Sequence, residues 1–207
     1  MTTPHDTIIA DTRAWVNRVV IGLNLCPFAK AVEVKRQIRY AVSDADSPEA
    51  LRVVLCDEVR LLINTDPAEI ETTLLIHPMT LADFLDYNDF LTVAESAVAE
   101  LVGEGVLQLA SLHPRYQFAG TAVDDVSNAT NRSPYPTLHL LREASVSRVT
   151  ATFPDPETIF ETNIRTMRAL GATGLVALHE QCRKDVVENR AACPPECPSR
   201  SPPRDCD

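Results

Sequence analysis

The sequence predicts one domain of α+β or α/β class: an N-terminal helix, then β-α-β-α-β, then two or three further helices. Two observations carry this. Helical and strand-like apolar spacings alternate through the first half of the chain, and each candidate strand is reached from its predecessor through a helix-length amphipathic stretch. In addition, 207 residues with 45% hydrophobic content are enough for one sizeable core. The domain is expected over residues 1–191, with 192–207 a disordered tail rich in Pro and Cys.

Taken in order, Ile8, Ile9, Trp15, Val16, Val19, Val20 and Leu23 recur at helical spacing and predict a first helix ending near Asn24. Pro27 disfavours helical geometry at Cys26, so Asn24–Phe28 reads as an ordered turn past that helix end. Gln37–Ser43 alternates apolar and polar residues as a short strand does. Ser47-Pro48-Glu49 supplies an N-cap, a proline at the first helical position and an early carboxylate, which open a second helix. Thr72–Ile76 is a second strand, ended by His77-Pro78, and Thr80 with Asp83 resembles a capping box for a helix reaching about Val102. Val106–Leu112 is a third strand, ended by His113-Pro114. Thr137 is expected to cap a helix that carries His139 and Glu143 on one face. Asp155-Pro156-Glu157 opens another helix closed by Gly171, and Gly174–Val187 fits a last one.

Two strands thus end in matching His-Pro tetrapeptides. If both crossovers join parallel neighbours, His77 and His113 share one sheet edge, where open α/β sheets place ligands. A split β-α-β sheet with antiparallel neighbours would separate them, and the sequence leaves both topologies open.

Composition narrows the function classes. A formal charge of -10 opposes the basic footprint that nucleic acid or an anionic membrane requires. No apolar run reaches the roughly 18 residues of a membrane span, and the N-terminus lacks the pattern of a signal peptide. The expectation is a cytoplasmic protein whose cysteines are thiols or metal ligands.

The chemistry-bearing side chains concentrate in Leu112–Glu143. Arg115, Arg132 and Arg142 stand there with Tyr116, Asn131 and Tyr135, a set suited to holding a small anionic ligand, since guanidinium groups bind carboxylate or phosphate in bidentate fashion. The same arginines could instead neutralise Asp124, Asp125 and Glu143. His77, His113, His139 and Glu143 are candidate ligands of a transition metal of open identity; alternatively, a His before Pro simply hydrogen-bonds its turn. Cys26, Arg132 and Tyr135 are the residues expected nearest a reacting group. A thiolate at Cys26 would face the negative end of the first helix, which argues against a nucleophile there.

GLNLCPFAK (Gly22–Lys30), LHPRYQF (Leu112–Phe118) and NRSPYPTLHLLRE (Asn131–Glu143) together resemble a family of bacterial proteins known only as a domain of unknown function. The likeness spans roughly Trp15 to Leu170 and leaves the tail outside. It implies a stand-alone, single-domain bacterial protein with Cys26, His113, Arg115, Arg132 and His139 in its signature segments. Three readings follow: a metal-dependent enzyme acting on a small anionic metabolite, a non-catalytic binder of a small anion or metal, or a Cys-dependent hydrolase or transferase.

Overall fold

Four strands form one mixed sheet of order β1-β2-β4-β3: β1 Ile38–Val42, β2 Thr72–Ile76, β3 Leu107–Leu112 and β4 Thr137–Arg142. The computed structural model describes residues 3–151 and 157–192; apart from its first residue, Ala192, the predicted tail lies outside them. The class is α+β. Strand β1 pairs parallel with β2, whereas β4 enters between β2 and β3, antiparallel to both.

The first three strands fall where the sequence places them; the fourth does not. Thr137–Arg142 is a strand rather than the start of a helix, and the helix α5 (Glu143–Thr150) begins only at Glu143. The physical reason is burial on both faces: Leu138 and Leu140 are fully buried on one and Thr137 and Leu141 on the other, so the segment lacks the alternation that marks a half-exposed strand.

Helices cover both faces. On one side lie α3 (Pro48–Asn64) and α4 (Phe84–Val102). Ser47 caps α3 as expected, accepting from the Ala50 N–H at 3.2 Å. The buried stripe Leu51, Leu55, Val59 and Leu62 packs on Leu75, Leu138 and Leu140, each such residue contributing roughly 1.5–3 kcal/mol. Asp83, not Thr80, caps α4, accepting from the Leu85 N–H at 2.9 Å.

On the other face lie α1 (Pro4–Trp15) and α6 (Glu157–Ala192), the latter broken at Gly171 by a φ of 65°. Helix α1 starts at a reciprocal Thr3–Asp6 capping box and runs into a widened turn, Val16–Ile21, with π-type hydrogen bonds. Asn24, at φ 54°, follows that turn, close to the predicted stop. A short helix unforeseen in the sequence, α2 (Ala29–Val34), then leads into β1. Trp15, Val16, Val19 and Met167 pack with Leu74 on this face.

Tyr87 ties the first layer to the sheet. Its hydroxyl donates to the Thr137 carbonyl at 2.8 Å and accepts from the Leu112 N–H at 3.0 Å, and the residue is fully buried. Tyr87→Phe strands both backbone groups where β3 and β4 meet, so it should cost about 2 kcal/mol in urea unfolding. A midpoint equal to wild type would contradict that role.

Candidate functional site

The two His-Pro histidines do share a sheet edge, although through the split topology. Strands β2 and β3 both run antiparallel to the intervening β4, so they are parallel to each other, and His77 and His113 follow their C-terminal ends about 10 Å apart. Tyr87 lies between, its ring centroid 5.8 Å from that of His77 and 5.0 Å from that of His113. Both histidines are fully buried and bonded to turn backbone. His77 Nδ1 donates to the Thr80 carbonyl at 3.2 Å. His113 Nδ1 accepts from the Arg115 N–H at 3.0 Å, which leaves its Nε2–H to donate to the Leu81 carbonyl at 3.2 Å. Burial pushes the His77 pKa down to about 4.

The other two expected metal ligands are elsewhere. His139 lies within β4 on the α1/α6 face, with Leu74 and Ala110 as its strand neighbours, whereas His77 and His113 pack against Tyr87 on the α4 face. Glu143 is at the far end of β4, about 20 Å beyond Thr137, and accepts from the Ser147 hydroxyl. The expected i,i+4 His139–Glu143 pair on a helix is therefore corrected: a strand separates the two. No group of three or more His, Cys, Asp or Glu among the described residues is gathered as a metal ion would require.

The arginines divide by what they touch. Arg142, expected at a substrate, has its Nη2 engaged by backbone instead, donating to the carbonyls of Leu62, Thr65 and Ile70 at the C-terminal end of α3 and in the loop after it. Arg115 is exposed, donates to the Ala82 carbonyl and lies 3.6 Å from Asp83. Tyr116 packs its ring against Phe84 and Phe118, and Asn131 Nδ2 donates to the Ser111 carbonyl at 3.3 Å. None of the three arginines pairs with Asp124, Asp125 or Glu143 among the described residues.

Arg132 differs. Its Nε and Nη2 donate to the carbonyls of Tyr116 and Val123, at 3.0 and 2.6 Å, fixing the side chain on its own loop. The half-buried guanidinium borders a cleft of about 610 Å³ between the NRSPYP loop, α1 and the part of α6 after Gly171. Tyr135 joins it there, its hydroxyl donating to Asp11 Oδ2 at 2.7 Å. From α6 come His179 and Arg183, and from α1 come Asp11 and Trp15. Neither Arg132 nor Arg183 forms an ion pair among the described residues. The cleft thus sets two guanidinium charges against one carboxylate, with His179 held towards its neutral form by burial and by Arg183.

The α1 and α6 contributions went unread in the sequence. Their signal is present: Asp11 and Trp15 are four apart, as are His179 and Arg183, and Leu175, His179, Cys182 and Val186 form one helical stripe.

A second, smaller cavity of about 200 Å³ lies beneath Trp15, between the sheet, the widened turn and α2. Cys26 and His139 line it. Cys26 follows the end of the first helix as expected, but it also sits just before α2, where the Ala29 N–H donates to the Cys26 carbonyl at 3.2 Å and the Phe28 and Ala29 backbone acts to lower the thiol pKa. Burial nevertheless dominates and pushes its pKa up. His139 Nε2 is 2.8 Å from the Thr72 hydroxyl, and burial pushes its pKa down to about 4.

Most of the residues that form these walls lie in a span matched by a recognised sequence family. A family model described as a protein of unknown function, DUF1415, matches residues 7–177. The chain belongs to the DUF1415 family. No curated protein and no solved structure matches it. The matched span takes in every wall of the small cavity; of the large cleft it leaves out only His179, Cys182, Arg183 and Val186. In this DUF1415 chain no helix of the described residues is long and apolar enough to cross a membrane.

Proposed function

We propose that the protein binds a small anionic ligand in the cleft of Arg132, Tyr135, His179 and Arg183. The observation that supports this is the pair of guanidinium groups, without an ion-pair partner among the described residues, lining one cleft in a chain of net charge -10. Burying Arg132 lowers its pKa, which measures a desolvation that an anion would relieve. A volume of about 610 Å³ suits a metabolite-sized ligand, and planar guanidinium forks suit carboxylate or phosphate. The reading is of binding rather than chemistry: the Cys26 thiol lies in the other cavity and stays protonated.

The test is a thermal-shift panel of phosphate, citrate and short dicarboxylates. A cognate anion at about 100 times its dissociation constant should stabilise the protein by about 2.7 kcal/mol. Arg183→Ala, which removes an exposed side chain, should weaken that response, and Arg132→Ala should abolish it. His139→Ala, in the other cavity, should retain it. A response from no anion, or one indifferent to both arginines, would sink the reading.

A further inference from the structure

We propose that the cavity beneath Trp15 is a second ligand site, for a neutral molecule about the size of one aromatic ring that carries a hydroxyl group. Its walls are mostly apolar: Val16, Val20, Phe28, Leu74, Leu112 and Leu141 contribute, and no Lys, Arg, Asp or Glu does. Protein interiors pack to crystal-like density, so an opening of about 200 Å³ in this layer is space the core has not closed. A dry apolar cavity of roughly 150 Å³ accepts benzene.

One polar atom of a lining side chain, His139 Nδ1, lacks a partner among the described residues, by an argument from proton count. The Thr72 hydroxyl donates its one proton to the Leu140 carbonyl at 2.6 Å, so at 2.8 Å it can only accept from His139 Nε2–H. Burial holds the ring towards its neutral form, so Nδ1 carries a lone pair, and no hydrogen bond among the described residues engages it. Of the other polar side chains here, Thr130, Asn131 and Asn163 each already donate to a backbone carbonyl. An acceptor without a donor in an otherwise apolar, uncharged cavity calls for one neutral donor, and a hydroxyl on an aromatic ring supplies it. The absence of charged walls excludes an anion, because nothing would offset its desolvation. The site is therefore chemically distinct from the neighbouring anion cleft, with which it shares Trp15 as a wall.

Trp15 is the chain's single tryptophan, so its fluorescence reports occupancy directly. Phenol, benzene and benzoate serve as probes on the full-length protein, with melting temperature as the second readout. Phenol should give a saturable change with a dissociation constant below about 10 mM, and benzoate should bind at least tenfold more weakly. His139→Leu should weaken phenol about tenfold while sparing benzene. Ala110→Leu, which fills the cavity from β3, should abolish both responses. Either variant alone, checked for native circular dichroism, decides the matter should the other fail to fold. No saturable phenol response in wild type, or one that survives the folded variants unchanged, would overturn the proposal. Phosphate stabilisation is scored separately, so failure here leaves the anion reading standing.

Discussion

Taking the protein from pH 7 to pH 4.5 should remove on the order of 2 to 3 kcal/mol of stability for each of His77 and His139. Both are held at a pKa of about 4 against an ordinary value of 6.5, and burial is the first cause in each case. Between those values the unfolded chain binds protons that the folded chain refuses. The contribution is therefore fully present above pH 6.5 and is lost as pH falls towards 4. His113 and His179 are lowered in the same direction. Carboxylates with depressed values act later: Asp185, held down by the Arg18 guanidinium, loses its contribution only below its ordinary value of 3.8. Urea midpoints taken at half-unit steps should fall most steeply from pH 6.5 to 4.5. Replacing His139 by Leu, or His77 by Gln, should each flatten that slope by up to about 1.4 kcal/mol per pH unit. A slope identical in wild type and both variants would show that the histidines do not carry it.

That dependence also shows what was legible in the sequence. The matching His-Pro ends of β2 and β3 were readable as a pair, but whether they shared one edge was not: the split topology that holds was expected to separate them, and it sets them at the same end of the sheet with β4 between. Their burial was not readable, because Tyr87 and Phe84, which enclose His113, come from α4 and carry no local mark of that role. Strand β4 was misread because its TLHLLR places apolar residues at positions that suit either period once both faces are buried. That single error moved His139 and Glu143 onto a helix face they do not share. In the cleft, the NRSPYP loop announced itself through Arg132 and Tyr135, since polar side chains gathered in an irregular stretch stand out locally. Its opposite walls come from α1 and the end of α6, more than 40 residues away in either case. Juxtaposition across such distances is a property of the sheet and its layers, and no spacing rule within one segment reports it.

Arg142 gives the sharpest separation between a structural and a ligand-binding arginine. Its Nη2 donates to the carbonyls of Leu62, Thr65 and Ile70 at 2.6, 2.9 and 3.1 Å, and its buried Nε has no partner among the described residues. A positive charge at the C-terminal end of α3 opposes the negative end of that helix and satisfies carbonyls the helix leaves open. It also joins α3, the loop into β2 and the end of β4 in one contact. Arg142→Met keeps much of the stem's packing but removes every donor, leaving carbonyl groups unpaired in a partly dry site. Charge-assisted hydrogen bonds are worth about 1.5–3 kcal/mol each and do not add fully, so the expected loss is about 3 to 4 kcal/mol. Urea denaturation should show a lowered midpoint at unchanged m, the mark of lost stability rather than an altered unfolded state. Below its melting temperature the variant should still respond to the anions proposed to bind at Arg132 and Arg183. A variant of wild-type stability that had lost the anion response would reverse the assignment and return Arg142 to the ligand.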